Sequence, residues 1–374
     1  MSVPKKLIKE VKSITELLEH GDTLLNLTLQ NLDLRETKVD WKGVKLANTT
    51  FLGCDIDIED ELVLREKGAV IYPKIVGLPY NPYRKSLYTW QELMEGYDAN
   101  DDKSTDLKIY THFDNTRYTK DINEALSQRI HDHAIDDALQ ELIEFDENGM
   151  PKKKCVGVMG GHGVLRTDAA YEKVAKMTKN LTEKGYFILS GGGPGVMEAA
   201  NLGAYFGGKT EEDLLKAIEI LKQSPKFTDP NYVTQSNKVI EMYPEGVENL
   251  AIPTWFYGHE PSNLFATHIA KYFSNSIRED VLLSASVYGI IYAPGSAGTI
   301  QEIFADASQN HYQSYGYTSP MIFLDKKYWS EDRKVYQLLK SLSEGLKYGE
   351  MITISDEINE IVDFIEKNPP VKVK

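Results

Sequence analysis

Cysteine is nearly absent from this chain. Cys54 and Cys155 are the only two in 374 residues, and neither has a partner at a metal-binding or redox spacing. So sparse a count provides no disulfide framework, and a reducing, cytoplasmic location is the expectation. Positive charge is also short: 42 Lys and Arg face 56 Asp and Glu, for a net charge of −14. That balance opposes binding along a nucleic-acid backbone, while a mononucleotide in a local pocket stays compatible with it. No apolar run approaches the ~20 residues of a membrane helix. The start, Met1-Ser2-Val3-Pro4-Lys5-Lys6, leads into mixed polar and apolar residues, unlike a secretory leader. His131 and His133 stand two apart, which on a helix turns them to different sides, so no metal is expected. Nor is a cofactor: Gly160-Gly161-His162-Gly163-Val164-Leu165 does not match the dinucleotide fingerprint, and nothing specifies a pyridoxal-binding lysine.

What the chain does have is glycine in three clusters, each after an apolar run. Residues 288–293 lead into Pro294-Gly295-Ser296-Ala297-Gly298-Thr299, and a helical pattern follows over 300–310. Strand, small-residue turn and helix start together make a phosphate site. Glycine lets backbone N–H groups approach an anion, and the helix adds its unpaired N–H groups and positive dipole end. Gly295, Ser296, Ala297, Gly298 and Thr299 are the expected phosphate binders, with Glu302 about one turn inside the helix. A second cluster, Gly191-Gly192-Gly193-Pro194-Gly195-Val196-Met197, follows the short strand 186–190. Pro194 suits the first turn of the next helix. The third, Gly160-Gly161-His162-Gly163, follows strand 155–159. In an open parallel sheet, such loops gather at the carboxyl edge and form the ligand crevice.

The stretch from Pro294 to Glu302 resembles the PGGxGTxxE motif of the LOG (Lonely Guy) family, Rossmann-like proteins often mislabelled lysine decarboxylases. Ser190 to Met197 is similar to that family's other glycine motif, and Arg278 stands where the family carries a functional arginine. Ser296 departs from the pattern, since glycine is usual there. The resemblance runs from about residue 153 to the C-terminus. It implies a doubly wound parallel sheet, commonly in a homodimer, and hydrolysis of the N-glycosidic bond of nucleoside 5′-monophosphates to base and ribose 5-phosphate. Glu302 and Arg278 are then the catalytic candidates. The alternative from another class is a non-catalytic nucleotide-binding sensor or carrier.

Organisation along the chain supports an α/β class. Residues 1–150 read as an N-terminal accessory domain and 151–374 as the Rossmann-like domain, with the boundary in the polar stretch 146–154. Between 24 and 57, Leu29, Leu34, Val39 and Val44 recur every five residues, like short pentapeptide repeats; an ordinary pair of strands is the other reading. A strand is expected at 69–75, a polar loop at 100–104 and a helix over 121–145. From Cys155 on, strands at 155–159, 186–190, 249–255, 287–293, 320–324 and 351–354 alternate with helices at 168–184, 194–206, 262–286, 297–310, 331–345 and 356–367. That alternation implies a parallel sheet covered on both faces.

Other residues are candidates for nucleotide binding. Gly160, Gly161, Gly191, Gly192, Gly193, Gly195 and Met197 lie in the glycine turns. Arg166 follows the first turn, where it neutralises phosphate or sits on the surface. His259, Glu260 and Asn263 follow strand 249–255 and suit the edge of a base, or a packed loop. Glu302 can stabilise a positive ribose, hold its hydroxyls or orient water. Phe265, Ile269, Tyr272 and Phe273 give 262–286 an apolar face, expected at a homodimer interface or against the chain's own sheet.

Overall fold

The computed structural model describes residues 6–19, 21–37, 39–146 and 150–373. Residues 1–5 of the N-terminal stretch and 147–149 of the expected boundary lie outside the described residues. The chain forms two compact units, Met1–Ser86 with Thr116–Ala138, and Leu87–Asn115 with Leu139–Lys374.

In the first unit, Lys6–Ile8, Leu27–Gln30, Thr50–Leu52 and Val70–Tyr72 make a parallel sheet in that order, and Thr23–Leu25 pairs with Lys45–Ala47. Buried side chains recur five apart at Leu24, Leu29 and Leu34, and again at Val44, Thr49 and Cys54. Asn26, Asn31 and Asn48 turn corners with φ of 54°, 53° and 51°, the left-handed region that asparagine tolerates. The inward residues close a core with Ile14, Trp41, Phe51 and Leu64.

The second unit is a seven-stranded parallel sheet. Its strands are β1 (Lys154–Met159), β2 (Tyr186–Ser190), β3 (Leu250–Ala251), β4 (His268–Ile269), β5 (Ile290–Tyr292), β6 (Met321–Leu324) and β7 (Ile352–Ser355). The spatial order is β4-β3-β2-β1-β5-β6-β7. From β1 the chain winds outward through β2, β3 and β4, then returns to the other side of β1 with β5. That is the doubly wound, Rossmann-like order, with its switch point between β1 and β5. The middle strands are apolar on both faces, as a covered parallel sheet requires: every residue of β5 and β6 is buried. Helices α1 (Ala169–Glu183) and α2 (Val196–Tyr205) pack with Ile358–Lys367 around this core. Burial also pushes the Cys155 thiol up to about 12, so it stays neutral.

Two expected elements differ most. The strand at 249–255 is only Leu250–Ala251, because Pro253 has no N–H to extend the ladder. Of 262–286, only α3 (Asn275–Ala285) is helical; the residues before it turn at 264–265 and then pass through β4. The apolar spacing there mimics a helix, yet all four large residues are buried: Phe265, Ile269, Tyr272 and Phe273. The backbone around Ile269 pairs with β3 instead, with the His268 N–H on the Asn249 carbonyl at 3.2 Å and the Ala270 N–H on the Ala251 carbonyl at 2.8 Å. The face expected at a subunit interface is thus interior to the chain's own fold. The second unit also includes residues 105–115 of a helix, Thr105–Thr116, just after the expected polar loop. It falls in a stretch that the sequence reading places in the N-terminal portion.

Candidate active site

The three glycine turns meet at the switch point. Gly161, after β1, donates its N–H to the Pro294 carbonyl after β5 at 2.9 Å, and Val196, opening α2, donates to the Gly161 carbonyl at 3.2 Å. Close approach explains the glycines. A Cβ on Gly295 would lie 2.2 Å from Thr299 Oγ1. One on Gly195, where φ is +69°, would lie 2.5 Å from the Gly161 carbonyl oxygen. No side chain fits between these loops.

Together the turns border a cleft of about 740 Å³, within the range of small-molecule sites. One wall is the start of α4 (Ala297–Tyr312), whose N-cap Ser296 makes no side-chain capping bond. Ser296, Ala297 and Gly298 are exposed and line the cleft. The first-turn N–H groups there have no intrahelical partner and suit an anion. Tyr328, beyond β6, donates its hydroxyl to the Gly295 carbonyl at 2.5 Å and fixes the loop from its other side.

Arg278 enters from α3 and is buried. Its Nε donates to the Ile252 carbonyl at 2.7 Å. Nη2 donates to the Gly191 carbonyl and Nη1 to Glu302 Oε1, each at 3.3 Å. Glu302, in the second turn of α4, keeps 12% of its side chain exposed. Burial raises the Glu302 carboxyl above its ordinary range, and Arg278 opposes that rise. One turn further along α4, Asp306 accepts from the Tyr292 hydroxyl at 2.7 Å and from Asn310 Nδ2 at 3.1 Å. Burial pushes Asp306 up to about 7.

The structure therefore brings Gly160, Gly161, Gly191, Gly192, Gly193, Met197, Glu260, Asn263, Arg278, Glu302 and 295–299 to one cleft. Gly195 lies beneath it as the N-cap of α2. Glu260 faces His162 across 3.2 Å. Asn263 borders the cleft, but its amide Nδ2 donates to Asn201 Oδ1 at 2.9 Å, in a buried amide network that pins β3. Two candidates lie elsewhere. Arg166 is fully buried, with Nε on Glu198 Oε2 at 2.9 Å and its guanidinium 3.4 Å from the Tyr232 ring centre. Glu198 neutralises it, so it is not a phosphate ligand. His259 turns its ring away, toward Asp102 at 3.5 Å and Asp106 at 3.9 Å, and stacks near Tyr110.

Asp106, from Thr105–Thr116, went unnoticed in the sequence. It is buried and gathers Trp255 Nε1 at 2.7 Å, Ser262 Oγ at 3.3 Å and Lys271 Nζ at 2.8 Å on each carboxylate oxygen. Lys271 and Ser262 line the cleft. The available signal was Lys271 itself, a single charge inside the apolar run 264–273. Nothing marked Asp106.

Residues 153–210, which carry β1, β2 and the turns between them and α2, match the SLOG cluster4 family model (LDcluster4). The chain is similar to LOG/SLOG-type proteins. No curated protein sequence matches it. Among solved structures, it is similar to the Moco carrier protein from Chlamydomonas reinhardtii at 15% identity and a TM-score of 0.37, over 58% of this chain and 97% of that one. It is also similar to the molybdenum cofactor binding protein from the phototrophic bacterium Rippkaea orientalis, at 17% identity and a TM-score of 0.36, over 58% and 97% of the two chains. Among the described residues, no helix is long and apolar enough to cross a membrane.

Proposed function

We propose that this LOG-like chain hydrolyses the N-glycosidic bond of nucleoside 5′-monophosphates to free base and ribose 5-phosphate. The observation that carries the reading is the Arg278–Glu302 pair, 3.3 Å apart, beside the uncapped start of α4. In this reading the 5′-phosphate rests on the N–H groups of 296–299. The ribose then lies against Glu302. As the bond to the base lengthens, the sugar becomes oxocarbenium-like, and an ionised carboxylate favours that state over the neutral ground state. Arg278 ties Glu302 to the Gly191 and Ile252 carbonyls and so holds the carboxylate at the sugar.

The test is turnover. Purified protein is incubated with a panel of nucleoside 5′-monophosphates and the matching nucleosides, and free base and ribose 5-phosphate are quantified. The expected result is base release that depends on the 5′-phosphate, because binding at that remote group positions the ribose. Equal kcat/KM with bare nucleosides would remove the phosphate role of 295–299. Tight binding without release would assign the cleft to a nucleotide carrier or sensor. The proposal includes a homo-oligomer, which light scattering decides; a clean monomer overturns that part.

A further inference from the structure

At the end of the cleft away from α4, one member of a buried charged pair borders the cavity. Lys271 is 5% exposed yet lines the cleft. An ammonium has three N–H donors, and two of them go to the two oxygens of Asp106. Its Nζ lies over the Trp255 ring, 5.2 Å from the ring centre. Asp106 in turn is fixed by Trp255 Nε1 and Ser262 Oγ. The result is a rigid donor, one N–H to spare, at the cleft wall.

Strand order says what that donor would meet. The α4 loop follows β5, Arg278 holds the Gly191 carbonyl beyond β2 and the Ile252 carbonyl beyond β3, and Lys271 follows β4. Strands step by about 4.8 Å. Four such steps separate β5 from β4, more than a mononucleotide spans, but Arg278 joins Glu302 directly to the Gly191 and Ile252 carbonyls, so a ribose at Arg278–Glu302 already lies beside the ends of β2 and β3 and its base falls about one step from β4.

We propose that Lys271 stabilises the departing base, and that the cleft accordingly prefers bases with a ring carbonyl, such as hypoxanthine, guanine and uracil. This rests on the hydrolytic reading above. The C1′–N bond breaks with its electron pair on the base nitrogen, and the oxygen of water bonds to C1′. One proton of that water passes to Glu302 and then to the base nitrogen; the other stays on the new C1′ hydroxyl. In a base with a conjugated carbonyl, the departing pair is shared with the carbonyl oxygen. The free N–H of Lys271 donates to that oxygen as its charge grows, the logic of an oxyanion site. Adenine has no such oxygen and gains nothing from Lys271.

The experiment compares inosine, guanosine, uridine and adenosine 5′-monophosphates in the full chain. Lys271→Met is expected to lower kcat about 100-fold for the three carbonyl bases, and by less than about threefold for adenosine 5′-monophosphate. Because Lys271→Met strands the buried Asp106 charge, the neutral pair Asp106→Asn with Lys271→Met is measured beside it and should show the same selective loss. Equal loss on all four substrates, no loss on any, or wild-type release from adenosine 5′-monophosphate alone would each overturn the assignment. If wild type releases base from none, the hydrolytic reading fails on its own, and calorimetric titration then judges Lys271. A binding preference for inosine over adenosine 5′-monophosphate that Lys271→Met abolishes keeps the base-recognition role. An unchanged preference, or none in wild type, ends it.

Discussion

Two carboxylates one turn apart on α4 behave differently because their neighbours differ. Glu302 is desolvated but has Arg278, and its pKa rises above the ordinary glutamate range with that cation resisting. Its ionised form is the one the proposed chemistry needs. The acid limb of kcat against pH is therefore expected above the ordinary glutamate value of about 4.3. Glu302→Gln should bind nucleotide with little change and lose most single-turnover base release; near-wild-type release would remove Glu302 from the chemistry. Among the described residues, Asp306 has no cation beside it, only the Tyr292 hydroxyl and the Asn310 amide, and is pushed up to about 7. A carboxyl raised from 3.8 in the folded state binds more protons folded than unfolded between those values. Stability then falls as pH rises from about 4 to 7, by an order of a few kcal/mol, and levels off above. Asp306→Asn keeps both hydrogen bonds available without the charge. Its melting temperature should drop less than that of wild type between pH 5 and pH 8; parallel curves would show that Asp306 does not titrate in this range.

Among elements, the glycine turns were legible because glycine and apolar runs leave a local trace. β1, β2, β6, β7 and α4 lie within a residue or two of their expected places, since each strand is an apolar run bounded by turn residues. β3 was legible as a strand but not in its length, and β4 was not legible. Their extended form is set by pairing with each other and, at Tyr88, with a residue distant in sequence, whereas the spacing of Phe265, Ile269, Tyr272 and Phe273 by itself reads as helical. The same reason hid Asp106, whose partners lie about 150 positions away. The turns also make a graded prediction. Gly195→Ala places a Cβ 2.5 Å from a backbone oxygen at a positive φ, while Gly163→Ala meets nothing within 4 Å. The first should destabilise by roughly 1–3 kcal/mol and weaken nucleotide binding; the second should leave both nearly unchanged. Chemical denaturation and a binding titration on the two variants check this, and equal effects would mean that the three loops do not pack as described.

Across the whole molecule, the division into 1–150 and 151–374 remains a proposal, and the Asp106–Lys271 pair supplies its test. In the full chain, Lys271→Met leaves Asp106 buried without its cation and should destabilise by roughly 3 kcal/mol. In a chain truncated to 151–374 the carboxylate is gone, so the same substitution should be neutral or stabilising. Thermal unfolding of the four proteins reads out the sign. A loss of similar size in both backgrounds would mean that Leu87–Asn115 does not belong with the unit of the seven-stranded sheet.

The winding order of the sheet also has a consequence for synthesis. A ribosome releases β1 first, and the sheet can grow from it strand by strand through β2, β3 and β4. The other half of the crevice, from β5 through Thr299 and Glu302 to Tyr328, emerges only afterwards. A nascent chain, made at about 5–20 residues per second, therefore spends several seconds with β1 exposed along the edge that β5 will later cover, and with the glycine turns after β1 and β2 in place but not the one after β5. Nucleotide can protect the protein only once translation has passed that last segment, so ligand rescue of a destabilised variant should act after synthesis rather than during it.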